Sequence, residues 1–285
     1  IDQWLGDNEV EFSRTAVSTF HAANAVKWND KNIFLLGDAA HQMPPFMGQG
    51  MNSGCRDAEN LLWKINGVLK GLYSEKILHT YESERKPHVA RITRGAIKMG
   101  GIINAKSKFK AFIRNTLLRT QSYFKGKENV FPVLNGNRLG SGVHKMPKIK
   151  NVSIERYYFN EINVRLYDGR VVSSDKVLEK NFGIILNNFN GNKKISEKNL
   201  DLINKHNFKI INITDSYDHS NCKEYIACEE THSDMEIYCD KYECNGVILR
   251  PDKYVFDLLH FKSNDSLEII INEVFDNIRE KIEFN

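Results

Sequence analysis

Hydrophobic and polar positions in the first third of the chain predict two strands and two long helices. Residues 13–22 are rich in β-branched and aromatic side chains, as strands are. Residues 32–36 (NIFLL) form a short apolar run, which predicts a buried strand in a sheet covered on both faces. Apolar side chains then recur at helical spacing over residues 53–72, which places them on one stripe of a helix. A second helix is predicted over residues 74–100, interrupted or kinked at Pro87.

The second half of the chain alternates between strand and helix patterns, which is typical of an α/β layer. Asp168 and Gly169 predict a hairpin turn after the first of these strands. The predicted strands span residues 163–167, 182–186, 209–213, 235–239 and 247–250, and the predicted helices span residues 196–206 and 266–282.

A change in composition divides the chain. Residues 91–127 contain ten Lys or Arg and no Asp or Glu, and residues 128–150 read as a loop with two prolines. We therefore predict a first domain with a helical segment at residues 1–127, a linker at residues 128–150 and a second domain at residues 151–285. The basic run has two interpretations. It is either a basic amphipathic helix that attracts dinucleotide phosphates or a membrane, or a helix face exposed to solvent, and we favour the second interpretation.

Composition and charge exclude several classes of protein. Of the 285 residues, 41% are hydrophobic and 27% are charged, so a packed core is expected. The sequence has no run of about 18 apolar residues that would span a membrane, and its acidic start lacks the apolar segment of a signal peptide. A net charge of +4 is too small to indicate nucleic acid. The five cysteines are odd in number and sparse, so we expect reduced thiols and a cytoplasmic protein.

The segment that carries chemistry is residues 37–52, GDAAHQMPPFMGQGMN. Asp38 follows the predicted buried strand, at the sheet edge where ligands bind in open α/β folds, and its carboxylate would accept hydrogen bonds from ligand hydroxyls. Gly48 and Gly50 permit left-handed backbone and close approach to a planar ligand. The helix after Asn52 would direct free N–H groups and its positive end at that ligand. An isoalloxazine ring, which becomes anionic on reduction, is a ligand that such a helix start stabilises.

Residues 37–52 closely resemble the second FAD fingerprint of the class A flavoprotein aromatic hydroxylases, the group of para-hydroxybenzoate hydroxylase, phenol hydroxylase and 3-(3-hydroxyphenyl)propionate hydroxylase. The resemblance extends over residues 19–41, NSGCRDAENLLWKINGVLKG (52–71) and TYESERKPHV (80–89). GVILRPDKYVF (246–256) resembles the closing LRPD of the thioredoxin-like C-terminal domain in the phenol hydroxylase branch. The resemblance implies an α/β protein in which part of a para-hydroxybenzoate hydroxylase-like FAD-binding domain precedes a thioredoxin-like domain.

The same resemblance implies an enzyme, an FAD-dependent monooxygenase. It would use NAD(P)H and O2 to hydroxylate a small phenolic or related aromatic substrate through a flavin C4a-hydroperoxide, while the protein supplies position, electrostatics and dryness. Asp38 would bind the ribityl chain of FAD, and Pro45 would be the catalytic residue beside the reactive edge of the flavin. Met51 and Asn52 would offer N–H groups to the C2 carbonyl. The implied cofactor-binding residues are Gly37, Asp38, Pro45, Gly48, Gln49, Gly50, Met51 and Asn52.

Other features of the family do not occur in this chain. The first FAD motif, G-x-G-x-x-G, and the mid-chain Asp-Gly motif between the two halves are missing, and Ala23 stands where the family often has Arg. We therefore expect the chain to represent the C-terminal part of a longer hydroxylase. One alternative is a truncated, catalytically inactive paralogue that acts as a binding or structural module. Another is a different flavin reaction on the same scaffold.

Several polar residues outside the implied site have two interpretations. His41 is either a base or a packed, hydrogen-bonded residue, and we favour the second. Asp57 is expected to complement the helix dipole in the first turn of its helix. Glu84 and Arg85 are expected to form ion pairs at the surface or between domains.

The cysteines of the second half do not indicate a metal or redox site. They lack C-x-x-C spacing, so we predict neither a metal centre nor dithiol exchange. The second domain would then serve packing or contact between copies, as in a homodimer, and no nucleic-acid partner is expected. The residues considered for a metal are Cys222, Cys228, His232, Cys239 and Cys244.

Overall fold

The computed structural model describes residues 16–105, 107–125, 139–144, 158–214, 225–262 and 265–283. They form an amino-terminal part of helices and short strands, within residues 16–144, and a carboxyl-terminal part built on a seven-stranded sheet, within residues 158–283. In these ranges we find no helix with the length and apolar character that a membrane crossing requires.

The amino-terminal part contains, among its described residues, short strands and α-helices joined by 3-10 turns. The strands are β1 (Ala23–Asn24), β2 (Asn29–Asp30), β3 (Ile33–Phe34) and β4 (His41–Gln42), the helices are α1 (Gln49–Leu69), α2 (Thr80–Ile103) and α3 (Lys108–Lys125), and the 3-10 turns are Gly37–Ala39, Pro45–Met47 and Glu75–His79. β1 pairs antiparallel with β4, and β2 pairs antiparallel with β3.

The predicted strands of this part are corrected. Within residues 32–36 only β3 forms; it pairs with β2, and Ile33 is 70% exposed. A strand covered on both faces belongs to a larger sheet with other elements packed on its two faces, whereas β2 and β3 form a two-stranded sheet with Ile33 exposed. Of the strand predicted at residues 13–22, residues 13–15 lie outside the described residues and residues 16–22 form no strand. β-branched side chains favour a strand only where another strand pairs with it.

The helix α1 confirms the predicted helix but has different ends. It begins at Gln49, four residues before the predicted start, because Gly48 adopts the left-handed region (φ 61°) and serves as its N-cap. It ends at Leu69, and Gly71 then turns the chain with φ 67°.

The helix α2 continues through Pro87, so the predicted interruption is wrong. A proline removes one hydrogen bond from a helix, which neighbouring contacts can offset. Here the segment at Gly140 lies against this turn, and its N–H donates to the carbonyl of Glu84 at 2.7 Å.

The carboxyl-terminal part is a mixed sheet with helices between its strands. Its strands are β5 (Asn163–Arg165), β6 (Val171–Ser173), β7 (Gly183–Asn187), β8 (Lys209–Ile213), β9 (Tyr225–Glu230), β10 (Gly246–Leu249) and β11 (Val255–Leu259), and its helices are α4 (Ser174–Leu178), α5 (Glu197–Lys205), α6 (Asp234–Tyr242) and α7 (Leu267–Lys281). The strand order is β11-β10-β7-β8-β9-β5-β6.

The topology of this sheet is thioredoxin-like. β7 and β8 are parallel and connected by α5, β10 runs antiparallel to β7, and β11 runs antiparallel to β10 before α7 follows. The unit β8-β7-β10-β11 therefore joins a parallel pair to an antiparallel pair, and it confirms the predicted fold class.

Periodicity predicts some elements of this sheet and misses others. β8 matches residues 209–213, and the Asp168-Gly169 turn joins β5 to β6 with Gly169 at φ 82°. β6, β9 and β11 are absent from the prediction. The strand predicted at residues 235–239 is wrong, since these residues lie in α6. Buried Met235 and Cys239 are four residues apart on one helix face, and a short apolar run does not distinguish a helix from a strand.

The helices α5 and α7 confirm the predicted pattern closely. Each begins after a serine, Ser196 or Ser266, whose hydroxyl accepts a hydrogen bond from an N–H in the first turn. Such N-caps stabilise a helix start by about 1 kcal/mol, which makes the boundary readable from the sequence.

The two parts share one hydrophobic core. Trp63 of α1 meets Tyr73 edge to face at 6.0 Å and Phe182 at 5.4 Å between ring centroids. The same cluster continues to Phe256 and Phe275. Because large aromatic side chains bury the most apolar area, this contact packs the carboxyl-terminal part directly against α1.

A buried group of charges also joins the two parts; the Glu84 cluster consists of Asn60, Lys64, Glu84, Arg250 and Asp252. Glu84 accepts hydrogen bonds from both terminal nitrogens of Arg250 at 2.9 Å and from Lys64 Nζ at 2.9 Å. Arg250 also donates to Asp252 at 2.9 and 2.6 Å, and Asn60 donates to Glu84 at 2.7 Å. Each member is at most 4% exposed. The predicted ion pair between the two halves is therefore confirmed for Glu84.

Neutralising Glu84 tests this cluster. Burial alone would raise the pKa of Glu84, but Arg250 and Lys64 outweigh it and hold the pKa well below its usual range. A carboxylate with a lowered pKa stabilises the fold at pH values above its ordinary pKa of about 4.3. This stabilisation is lost progressively as the pH falls below about 4.3. We expect Glu84→Gln to lower the free energy of unfolding by about 3–5 kcal/mol at neutral pH, because it leaves buried cations with one counter-charge fewer.

Urea unfolding at neutral pH and at about pH 4 measures this effect. The difference in the free energy of unfolding between wild type and Glu84→Gln should be smaller at the lower pH. The control is Glu273→Gln, at an exposed position on α7. Equal losses in the two variants would contradict the role of the cluster.

Two neighbouring glycines of α2 give a second test. A Cβ added at Gly100 would lie 2.4 Å from ring atoms of Phe46, whereas a Cβ at Gly101 would meet nothing within 4 Å. We expect Gly101→Ala to stabilise the chain by up to about 1 kcal/mol through helix propensity. Gly100→Ala should destabilise it by about 1–3 kcal/mol because Phe46 must move. Thermal unfolding compares the two, and a stabilised Gly100→Ala variant would show that Phe46 does not pack there.

Candidate functional site

The segment of residues 37–52 forms a continuous turn-to-helix structure. It contains the turn Gly37–Ala39, strand β4, the turn Pro45–Met47 and the first turn of α1. A Cβ at Gly54 would lie 3.3 Å from the Cα of Gly37, so the first of these turns packs directly on α1. The fold thereby holds Asp38 next to the amino-terminal region of α1.

Two glycines of this segment are required by the backbone. Gly37 has φ 54° and Gly48 has φ 61°, in the left-handed region that favours glycine. Gly50 does not share this conformation, because the helix has already begun at Gln49. The expected left-handed backbone is therefore observed at Gly48 and is wrong for Gly50.

The start of α1 is open to a ligand. Residues Gln49, Gly50, Met51 and Asn52 form its first turn, where no described side chain caps the helix and no acidic residue occurs. Free N–H groups and the helix dipole stabilise a negative charge that lies near such a helix start. Met51 is 79% exposed, and Asn52 is exposed as well.

Asp38 and Pro45 are also on the surface of the described structure. Asp38 is the only acidic residue in the turn Gly37–Ala39, and its side chain is exposed. Pro45 is the exposed first residue of the turn Pro45–Met47. An accessible carboxylate accepts hydrogen bonds, whereas a proline presents no backbone N–H to a ligand.

A buried hydrogen-bonded group lies beneath this surface; the Asp57 cluster consists of His41, Ser53, Asp57, Arg85 and His88. Asp57 Oδ2 accepts from His41 Nε2 at 2.7 Å, and Asp57 Oδ1 accepts from Arg85 Nε at 2.8 Å. Arg85 also donates to the carbonyl of Ser53 at 3.2 Å and contacts His88 Nδ1. Every member is at most 2% exposed.

The cluster reaches the surface turn through the backbone. The N–H of Gly37 donates to Asp57 Oδ2 at 3.1 Å. Burial alone would raise the pKa of Asp57, but the hydrogen bond from His41 and the guanidinium of Arg85 outweigh it, so the pKa lies below its ordinary value. The carboxylate is therefore ionised at neutral pH and accepts from every neighbour.

These contacts decide three of the sequence interpretations. The packed, hydrogen-bonded interpretation of His41 is confirmed, since its ring bonds Asp57 and lies 5.3 Å from that of Trp28. The expectation that Asp57 lies in the first turn of its helix is wrong: it lies well inside α1 and is buried. Arg85 forms a fully buried pair within the amino-terminal part rather than a surface pair.

The inner face of α1 is more polar than the hydrophobic pattern predicts. Leu62 and Leu69 belong to the predicted apolar stripe but are 61% and 82% exposed, whereas Asp57, Asn60 and Lys64 are 0% exposed. The signal that identifies this face is the helical spacing of these three polar residues. A hydrophobicity pattern misses it because it assigns charged residues to solvent.

Other predicted features lie away from this segment. The basic run continues into α3, where Phe109, Phe112 and Leu117 are 73%, 69% and 62% exposed. Cys228, Cys239 and Cys244 are buried free thiols, and Cys222 lies outside the described residues. Across the described ranges no three His, Cys, Asp or Glu residues gather as metal ligands would.

The fold of the chain is similar to that of part of several solved hydroxylases. Aklavinone-11 hydroxylase, solved in a ternary complex with FAD and aklavinone, superimposes with a TM-score of 0.60 over 92% of this chain and 45% of that chain, at 14% identity. Anhydrotetracycline hydroxylase from Streptomyces rimosus superimposes with a TM-score of 0.56 over 90% of this chain and 46% of that chain, at 19% identity. At these identities the likeness shows a shared fold.

Sequence comparison adds matches to two family models and to individual relatives. Residues 2–96 match the model of the FAD binding domain, and residues 157–268 match that of the HcaD C-terminal domain. The chain is 31% identical to a probable NADH-specific resorcinol 4-hydroxylase of Rhodococcus jostii (strain RHA1), over 90% of this chain and 45% of that relative. It is 27% identical to a 3-(3-hydroxy-phenyl)propionate/3-hydroxycinnamic acid hydroxylase of Burkholderia cenocepacia (strain HI2424), over 87% of this chain and 47% of that relative.

These matches confirm the resemblance seen in the motifs: the chain is similar to FAD-dependent aromatic hydroxylases over most of its length. It spans about half the length of the relatives that it matches.

Proposed function

We propose that the protein containing this chain is an FAD-dependent monooxygenase that uses NAD(P)H and O2 to hydroxylate a small phenolic or related aromatic compound. The observation that carries the proposal is the segment of residues 37–52, where left-handed glycines, an exposed carboxylate and an uncapped helix start lie together. The names of the two relatives refer to resorcinol, hydroxyphenylpropionate and hydroxycinnamic acid, which supports a phenolic substrate. Because the chain spans about half of each relative, the proposal concerns the whole protein.

Each residue of the segment has a proposed part in binding FAD. Asp38 would accept hydrogen bonds from the ribityl hydroxyls, and Gly37 would allow the turn that presents it. Gly48, Gln49 and Gly50 would lie along the pyrimidine end. These assignments agree with the accessibility and backbone geometry of the segment.

The start of α1 has an electrostatic part in the proposed reaction. The N–H groups of Met51 and Asn52 would face the C2 carbonyl, where the helix dipole stabilises negative charge on reduction. Pro45 would border the reactive edge of the ring, as the proposed catalytic residue. FAD, when bound, would supply the redox chemistry, namely acceptance of a hydride from NAD(P)H and activation of O2.

A catalytically inactive binding module is the second candidate. Ala23, which stands where the resembled family often has Arg, is the observation that favours it. The two candidates differ in whether the whole protein binds FAD and oxidises NAD(P)H.

We also propose that the protein acts in the cytoplasm and forms a homodimer. The buried free thiols Cys228, Cys239 and Cys244 agree with a reducing compartment. Cell fractionation tests the location, and light scattering on the purified protein tests the assembly.

Flavin binding tests the role of Asp38. We expect the protein expressed from the full coding region to carry FAD, and Asp38→Ala to raise the dissociation constant of FAD about tenfold to a hundredfold, because a hydrogen bond to a charged acceptor contributes about 1.5–3 kcal/mol. Quenching of flavin fluorescence on titration measures this constant.

The matched control is Asp30→Ala. Asp30 is an exposed aspartate of β2 whose ion pair with Lys27 lies at the surface. The assigned role of Asp38 is wrong if both variants bind FAD as tightly as wild type does.

Turnover separates the two candidate functions. We expect resorcinol or 3-(3-hydroxyphenyl)propionate to accelerate NADH or NADPH oxidation by the FAD-loaded protein at least tenfold, with a product one oxygen atom heavier than the phenol. Absorbance at the nicotinamide band and mass spectrometry measure the two quantities. A protein that binds FAD but oxidises neither nucleotide with any phenol would favour the inactive module.

A further inference from the structure

The carboxylate of Asp57 joins three separate elements at one buried point. Its oxygens accept from the N–H of Gly37 at 3.1 Å, from His41 Nε2 at 2.7 Å and from Arg85 Nε at 2.8 Å. These donors belong to the turn Gly37–Ala39, strand β4 and helix α2, while Asp57 itself belongs to α1. The side chain is 0% exposed, so it touches no ligand directly.

The turn held by Asp57 is the one that presents Asp38. Gly37 directly precedes Asp38, and its left-handed backbone (φ 54°) packs close to Gly54 of α1. The hydrogen bond from Gly37 to Asp57 therefore fixes the distance between this turn and α1. A turn released from that bond would leave Asp38 free to shift along α1.

The same helix carries the other proposed contact. Asp57 lies eight residues after Gln49, about 12 Å along the axis from the helix start. Arg85 adds a second contact nearer that start through its hydrogen bond to the carbonyl of Ser53 at 3.2 Å. Asp57 and Arg85 thus determine the spacing between the Asp38 turn and the open end of α1.

We propose that Asp57, held by Arg85 and His41, is a positioning residue that sets how tightly the protein binds FAD and how readily the bound flavin is reduced. This inference rests on the proposed function. The physical basis is that a displacement of about 1 Å in a positioned polar group has a large effect on binding and rate. Stabilisation of the reduced, anionic ring depends in the same way on its distance from the start of α1.

The variant Asp57→Asn tests the proposal with little change in volume. An amide offers one acceptor oxygen and two donor hydrogens, whereas the site presents three donors from Gly37, His41 and Arg85. At least one of them then faces an N–H group, so the contacts that hold the turn against α1 and α2 are weakened even if the chain folds.

Glu84→Gln is the matched control. Glu84 is also a carboxylate of 0% exposure paired with an arginine, and it directly precedes Arg85 in α2. Its partners Arg250 and Lys64 lie in the Glu84 cluster, away from the turn Gly37–Ala39. A merely structural role for Asp57 predicts that the two variants behave alike.

The experiment uses the protein from the full coding region, wild type and both variants. Thermal unfolding, the dissociation constant of FAD and the reduction potential of bound FAD are measured for each. We expect both variants to melt at lower temperature. Only Asp57→Asn should raise the dissociation constant, by tenfold or more, and make the reduction potential more negative, because the anionic reduced flavin loses stabilisation.

The outcomes separate this inference from the proposed function. A wild-type protein that binds no FAD overturns both. A wild type that binds FAD, with Asp57→Asn within twofold of its dissociation constant and at the same potential, overturns the inference alone, as does an equal change in Glu84→Gln. If Asp57→Asn does not fold, His41→Phe replaces it, since it removes one donor, keeps a ring beside Trp28 and keeps the Asp57–Arg85 pair; an unchanged potential and dissociation constant there would also overturn the inference.

Discussion

Buried carboxylate–guanidinium pairs on consecutive residues of α2 hold the described structure together. Glu84 pairs with Arg250, and Arg85 pairs with Asp57. Successive residues of an α-helix point about 100° apart, so α2 contacts two different partners at the same height. The Glu84–Arg250 pair joins α2 to the carboxyl-terminal part, and the Arg85–Asp57 pair joins α2 to α1 at the carboxylate that also binds the N–H of Gly37.

These pairs define an arrangement more than they add net stability. A buried ion pair loses its hydration and often contributes no more than well-packed apolar side chains would, but a buried charge left without its partner is strongly destabilising. The charged groups of the two clusters have all of their hydrogen-bond partners only when α1, α2 and the segment around Arg250 pack together. Within residues 37–52, the turn Gly37–Ala39 and strand β4 depend on the Asp57 cluster, through the contacts of Gly37 and His41 with Asp57.

The thioredoxin-like part contacts both α1 and α2 through Arg250. Arg250 lies 5.3 Å from the ring of Trp63 and bonds Glu84, so charge and aromatic packing act at the same point. Trp63 and Lys64 belong to the second half of α1, whose first turn is the open helix start. The carboxyl-terminal part therefore packs against the half of α1 that lies farther from this open start.

The sequence by itself determined the elements that depend on nearby residues. Serine caps and apolar stripes predicted α5 and α7, and the glycines, proline and aspartate of residues 37–52 predicted a turn into a helix, because such residues restrict the backbone whatever surrounds them. Only the tertiary structure decided that β3 is short, that residues 235–239 are helical and that Asp57 is buried. A short apolar run has the same local pattern in a strand and in a helix, and a single carboxylate has the same local pattern whether it is exposed or buried. Contacts from residues far along the chain, such as the contact of Arg85 with Asp57, decide between these alternatives.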